Sequence, residues 1–269
     1  MWLILAFCSA ALLGFYDVCK KHALSGNAVL PVLFLNTAIC SLLFLPFIIL
    51  SSYTGLLDSS SFYVESCGWE QHRYILLKAC IVLSSWIFGY FAMKHLPITI
   101  VGPINATRPV MVLVGAMLVF GERLNVWQWA GVTLAIISFF LLKRSGKKEG
   151  VDFRHNKWIF SLILAAVLGA VSGLYDKYLM APPENGGVGL SRMVVQSWYN
   201  LYQLAMMGLT MLMIWWPTRK NSTPFTWKWS IIFISLFLSA ADFVYFYALS
   251  LHGAMISIVS MIRRGSVVV

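Results

Sequence analysis

The chain has 269 residues, of which 59% are hydrophobic and 11% charged, with a mean hydropathy of +0.78; soluble domains carry roughly a quarter charged residues, so an ordinary water-soluble fold is excluded. At roughly 20 apolar residues per span plus a short connection, this length supplies about eight to ten transmembrane helices and leaves no room for a soluble domain. The formal net charge of +10 and pI near 9.5 would suggest nucleic acid in a soluble protein, but loop lysines and arginines have a commoner cause in membrane topology, and a nucleic-acid partner is set aside.

The opening MWLILAFC has the apolar run of a secretory signal but lacks its positive start, so 2 to 24 reads as a permanent first span. It carries Asp17 in its last third. A charge at bilayer depth costs on the order of 2.5 to 3.5 kcal/mol on insertion scales, which makes Asp17 a functional candidate, against the plainer reading of an i,i+4 bridge to Lys21. Span two, 29 to 50, holds Asn36, and span three, 74 to 93, presents Trp86 and Tyr90 on one face. Packing competes there with stacking on a substrate. Span four, 98 to 120, with Pro97, Gly102, Pro103 and Pro109, is expected to kink or break and to bring Asn105 and Arg108 to the wall of a cavity.

Span five, 125 to 143, leads into a basic, glycine-containing connection, 143 to 157, read as a topology determinant, with contact to anionic lipid as a weaker option. Span six, 158 to 180, contains Tyr175 and Asp176; span seven, 193 to 216, sets Gln196, Asn200 and Gln203 on one face at i, i+4, i+7. Interhelical hydrogen bonding explains that face as well as cavity lining does. Span eight, 229 to 250, has Asp242 near its middle with no basic residue within a helical turn, and a ninth span begins near 254 and carries Arg263 and Arg264. Trp127, Trp129, Trp158, Trp215, Trp216, Trp227 and Trp229 fall at span ends as interfacial anchors.

Lysine and arginine divide unequally between alternate connections. One set holds Lys20, Lys21, Lys94, Lys143, Arg144, Lys147, Lys148, Arg154, Lys157, Arg219, Lys220 and Lys228; the other holds Arg73, Lys78, Arg123, Lys177 and Arg192. The positive-inside rule then places the 143 to 157 connection in the cytoplasm and the N-terminus outside. On that side Asn221-Ser222-Thr223 is not expected to be used as a glycosylation site. The cysteines, Cys8, Cys19, Cys40, Cys67 and Cys80, form neither a disulfide framework nor a zinc spacing. His22, His72, His95, His155 and His252 sit near loop ends at no metal-ligand spacing, and HExxH and GxSxG are absent. No metal, cofactor or catalytic residue is therefore expected, and the chain does not read as an enzyme.

Sliding the second half against the first reveals a repeat. Gly14-Phe15-Tyr16-Asp17 recurs as Gly173-Leu174-Tyr175-Asp176, with Ala10 and Gly169 four positions before each glycine. Small residues at that spacing let neighbouring backbones approach. Tyr90-Phe91-Ala92 aligns with Phe246-Tyr247-Ala248, Arg108 with Arg264 at the same offset, and Asn36 with Asn200 in comparable surroundings. Trp86 stands where the second copy has Asp242. Five spans separate the copies, an odd number, so the copies run in opposite orientations, as in secondary transporters. After Arg108 the first copy continues through Gly121-Glu122-Arg123 and a fifth helix to Lys143, whereas the second stops at Val269. A helix over 254 to 269 rises about 24 Å, short of the roughly 30 Å hydrocarbon core, so a truncated ten-helix protein is expected.

These residues resemble a known family. The five-plus-five plan, the stretch Ala106 to Arg123 ending in Phe120-Gly121-Glu122-Arg123-Leu124, and Gln128-Trp129-Ala130-Gly131 look like the EamA-type branch of the drug/metabolite transporter superfamily. The resemblance implies an all-α polytopic membrane protein of two inverted five-helix repeats, about nine helices being present here: 1–145 the first repeat, 146–157 the basic connecting loop, and 158–269 an incomplete second repeat. It implies proton-coupled or facilitated movement of small metabolites through a central cavity, in what is expected to be a bacterial inner (plasma) membrane. Ser257 to Val269, with its dibasic pair, is similar to the ninth helix of sugar-phosphate and nucleotide-sugar translocators of the same superfamily, which points to an anionic metabolite.

The expectation is a secondary transporter that moves a small polar or anionic metabolite by alternating access. Asp17, Asp176 and Asp242 are its candidate proton carriers, and Arg108 and Arg264, with Arg263, its anion contacts, because guanidinium holds carboxylate or phosphate bidentately. Asn36, Trp86, Tyr90, Asn105, Tyr175 and Asn200 complete the candidate site. The rival reading of the charges is structural ion pairing between arginines and aspartates. Other functional readings are an exporter of cationic or neutral amphipathic compounds, a membrane-embedded lipid-handling protein, and a non-transporting subunit. Expected partners are a small-molecule substrate and the lipid bilayer, with a homodimer left open.

Overall fold

Helix boundaries follow the apolar runs and the prolines that interrupt them. The computed structural model describes residues 1–105, 107–127, 129–134, 137, 156–220, 222–251 and 253–264. Its principal helices are α1 (Trp2–Leu24), α2 (Val29–Tyr53), α3 (Trp69–His95), α4 (Ile98–Asn105), α5 (Arg108–Phe120), α6 (Lys157–Met180), α7 (Arg192–Thr210), α8 (Ser230–Ser250) and α9 (Ile256–Arg264). Helical backbone resumes at 126–127 and 129–134 where span five is expected; most of the 143 to 157 connection lies outside the described residues.

Local chemistry accounts for the ends. The α3 helix starts earlier than its apolar run, at Trp69, because the Gln71 side chain accepts from Gly68 N at 2.6 Å and Glu70 sits at the positive helix terminus. Span four is broken into α4 and α5, as its prolines predict: the Pro109 ring excludes a helical bond to the carbonyl of Asn105, four residues earlier. Gly121, at φ 61, closes α5 in a left-handed turn that returns Glu122 N to Ala116 O. The α7 helix continues through a π turn at Met211–Trp215 just ahead of Pro217, where the regular ladder cannot continue.

Among the described helices, α1, α2, α3, α6 and α8 are each long and apolar enough to cross a bilayer. Their outer faces are apolar as well: Ile4, Phe7, Phe15 and Val18 lie exposed along α1. Such a surface is a liability in water and the ordinary condition in lipid. The chain is an all-α polytopic membrane protein.

Packing joins the two halves rather than closing each on itself. The α1 helix packs on α8, α3 on α6, and α2 on α7; α5 lies on α6 and α9, and α1 on α9. Exchanging α1 with α6, α2 with α7, α3 with α8, and α4–α5 with α9 maps this pattern onto itself. Small residues permit the close crossings, where a hydroxyl of one helix reaches a carbonyl of the other: Ser9 Oγ donates to Ala241 O and Ser85 Oγ to Ala165 O, each at 2.8 Å.

Contacts at the helix termini set the chain direction. At one end, Lys21 reaches Met93 O and Leu96 O, the His95 ring stacks on Trp158, and Asn27 bonds to Thr226. At the other, Lys177 reaches Ala254 O, Glu122 meets Ile256 N, and Arg192 meets Ser61 O. The helices α1 and α6 therefore run in opposite directions, and so do the other exchanged pairs. Of the buried apolar clusters among the described residues, the two largest contain Leu24, Leu33, Tyr90 and Ile231 toward the Lys21 end and Ile75, Leu179, Tyr199 and Ile256 toward the Lys177 end. Between them lies a layer of charge.

Candidate functional site

That layer encloses a cavity of about 150 Å³ lined from α1, α3, α4, α5, α6, α7, α8 and α9. It is the size of a cavity that holds one small aromatic molecule and lies below the roughly 300–1,000 Å³ of drug-sized sites. Its wall carries the carboxylates Asp17, Asp176 and Asp242 and the cations Lys20, Lys78, Arg108, Arg263 and Arg264, a formal excess of two positive charges.

Three ion pairs absorb three of the cations. Asp17 Oδ1 is 3.0 Å from Lys20 Nζ, one turn along α1. This corrects the expected partner, Lys21, whose ammonium points out of the layer to donate to the carbonyls of Met93 at 2.7 Å and Leu96 at 2.9 Å. Lys20 instead turns inward, 4.4 Å from the centre of the Tyr16 ring and 5.2 Å from that of Tyr90, and the two phenols meet at 3.2 Å. Ammonium over an aromatic face gains from the ring quadrupole where water is scarce.

Asp176 pairs with Lys78 of α3, both side chains almost fully buried. Lys78, grouped above with the loop lysines, is corrected to an interior residue. It lies nine residues after Trp69, which puts it about 14 Å along the helix. Its ammonium sits over the rings of Tyr199 at 4.7 Å and Phe246 at 4.9 Å. Asp242 finds its cation on another helix: Arg263 of α9 bonds to Oδ1, while Tyr199 OH donates to Oδ2 at 2.9 Å. The Arg263 guanidinium also covers the Tyr245 ring at 4.1 Å. Tyr199 thereby joins two ion pairs, taking the Lys78 ammonium on its ring and giving its hydroxyl to the partner of Arg263.

Arg108 and Arg264 remain. Arg108 donates through Nη2 to Ala165 O at 2.9 Å, and its Nε is buried without a partner. It lies across Gly169, so the space that the repeat's small residue opens is filled by a guanidinium, not by a neighbouring backbone. Arg264 makes no ion pair or hydrogen bond among the described residues; it lines the cavity with Arg108, and the charge of Asp17 acts on both. Aligned with each other in the repeat, these two arginines face one cavity from α5 and α9.

Of the residues singled out from sequence, Asp17, Trp86, Tyr90, Asn105, Arg108, Asp176, Asp242, Arg263 and Arg264 line this cavity together. Asn36, Asn200 and Tyr175 are outside its lining. Asn36 accepts from Ser235 Oγ at 3.1 Å between α2 and α8, the Asn200 carbonyl accepts from Ser41 Oγ at 2.8 Å, and Tyr175 OH reaches Tyr74 O at 3.3 Å. Gln196 likewise spans a helix contact, donating to Ser239 O at 3.1 Å. Lys20, Lys78, Tyr16, Tyr199 and Tyr245 belong to the site and were not singled out. Tyr16 had a signal, standing beside Asp17 in the repeated motif; Lys78 had one in its apolar flanks.

Residues 1–144 match the EamA-like transporter family. No curated protein matches the chain.

Proposed function

The chain belongs to the EamA-like transporter family, whose members move solutes across membranes, and from that premise we propose that it carries a small anionic metabolite by alternating access, held between Arg108 and Arg264. One observation carries this reading: among the described residues, after three ion pairs form, these are the two cavity cations with no carboxylate in ion-pair contact. Charge at bilayer depth that no ion pair neutralises is costly, and an anion relieves both guanidiniums at once through short charge-assisted bonds. A cationic substrate would add to the excess, which disfavours the reading as an exporter of cations. Proton coupling, on this reading, works through Asp17, Asp176 or Asp242 exchanging a cation for a proton.

The Lys21 end, with Lys94, Lys157, Arg219, Lys220 and Lys228, is the basic face, and Asp58, Glu65, Glu70 and Glu184 sit at the other. Positive-inside then sets the Lys21 end in the cytoplasm, in keeping with a bacterial inner (plasma) membrane.

The test is thermal stability of the purified protein against phosphorylated, carboxylate and cationic metabolites. A ligand of the folded state at about a hundred times its Kd adds about 2.7 kcal/mol. Anions are expected to raise the midpoint in the native chain and not in Arg264→Ala. Stabilisation by cations or neutral solutes instead would overturn the anion site.

A further inference from the structure

The α4–α5 segment, which carries Arg108 just past its break, and α9, which carries Arg264, are each entered through a turn held by a lysine from one of the exchanged helices α1 and α6. On the first half, Lys21 in the last turn of α1 donates to Met93 O at 2.7 Å and Leu96 O at 2.9 Å, the turn that leads from α3 into α4 and on to Arg108. On the second half, Lys177 in the last turn of α6 donates at 2.7 Å to Ala254 O, in the turn that leads from α8 into α9 and Arg264. The α1 and α6 helices run oppositely, so the two contacts lie at opposite ends of the molecule. Glu122 reinforces the second: its carboxylate accepts from Ile256 N at 2.9 Å and Ser257 Oγ at 2.5 Å, holding the first turn of α9 to the end of α5.

We infer that Lys21 and Lys177 are paired clamps whose alternate release opens the cavity to one side of the membrane and then to the other. The inference rests on the transporter reading above and adds to it the residues that control sidedness. Lysine suits the task. Its ammonium carries three donors and no acceptor on a flexible stem, so it fills the open carbonyls at a helix end, and it lets go without leaving a shaped pocket behind. The negative pole of the preceding helix adds to the hold of Lys21 on Met93. Each clamp ties a cavity-lining helix, α1 or α6, to the entry of the segment that bears an anion-facing arginine, α4–α5 or α9. Closing one end therefore fixes the arginine's helix to a neighbour, and releasing it frees that helix to tilt. Both clamps are engaged in this structure, one at each end of the molecule, beyond the apolar clusters that flank the charged layer.

The test measures from which side the cavity is reached. Ser260 lines it, and the thiol introduced by Ser260→Cys is labelled in oriented membrane vesicles with a small, impermeant, anionic methanethiosulfonate, read as the mass shift of the peptide that carries position 260. Lys21→Gln is expected to raise labelling from the Lys21 side about tenfold or more, the scale of one lost charged hydrogen bond, and Lys177→Gln to do the same from the opposite side. Lys21→Arg and Lys177→Arg should restore the native pattern in part. Clamps with only a stabilising role would lower the thermal midpoint and leave sidedness unchanged, and that outcome, or a shift in the same direction for both variants, overturns the inference. Anion-dependent stabilisation of the same variants separates the two claims: its presence without a sidedness shift removes the clamps alone, and its absence from the native chain removes the anion site.

Discussion

Arg108 lies so close over Gly169 that a β-carbon there would stand 2.6 Å from the guanidinium carbon. No real β-carbon keeps that distance, and the yielding partner is the end of a flexible side chain. Gly169→Ala should therefore push the guanidinium off Ala165 O and leave the backbone of α6 in place. The expected result is anion binding weakened roughly tenfold, about 1.4 kcal/mol, with little change in thermal midpoint. Isothermal titration of the purified protein measures it. An unchanged affinity would mean that Arg108 does not hold the anion from this position.

The Lys78–Asp176 pair joins α3 to α6 in a dry setting, so removing one member exposes the other's burial cost. Lys78→Met should destabilise by about 3–5 kcal/mol, because Asp176 is left buried without its cation. Lys78→Met combined with Asp176→Leu should recover much of that loss, since an apolar pair of similar volume carries no desolvation penalty. Thermal unfolding of the three variants in one detergent decides it. A double variant as unstable as Lys78→Met alone would show that packing, not charge compensation, dominates at this contact.

Cys67, in the connection between α2 and α3 at the Lys177 end, reports orientation and pH together. Its thiol is pushed up by partial burial and then by the charge of Glu65. The thiolate is the reactive form, so alkylation should be slow at neutral pH and accelerate as pH rises above the ordinary thiol range. An impermeant maleimide should reach it from outside intact cells. Labelling only after the membrane is opened would reverse the assigned topology.

Spans were legible in the sequence because hydropathy has one strong cause in a bilayer, and the break in span four was legible because Pro109 removes a specific helical bond. The carboxylates stood out for the same reason: Asp176 and Asp242 interrupt apolar runs. Lys78 did not, since the apolar run begins at 74 and a lysine near its edge reads as an anchor; the cap on Gly68 that lengthens α3 moves it inside. The partner of Asp242 lies 21 residues away on another helix, and no local rule finds it. Asn36 and Asn200 recur in the repeat, yet they sit where α2, α7 and α8 press together, and there the Asn36 side chain and the Asn200 backbone carbonyl each accept a hydrogen bond from a neighbouring helix. Choosing between Lys20 and Lys21 for Asp17 required the carbonyls of α3, which lie 72 and 75 residues further along the chain.

The pairing of Lys78 with Asp176 also bears on how the chain is made. The two residues are 98 positions apart, and at about 5–20 residues per second the ribosome needs roughly 5–20 s to pass from one to the other. During that interval the Lys78 ammonium of the third helix meets the membrane without the carboxylate it pairs with, at a cost on the order of 2.5–3.5 kcal/mol. Its apolar majority must carry that charge in, or the insertion machinery must hold the helix until the sixth one emerges. In the second case, translation of the second half becomes a step in the membrane integration of the first.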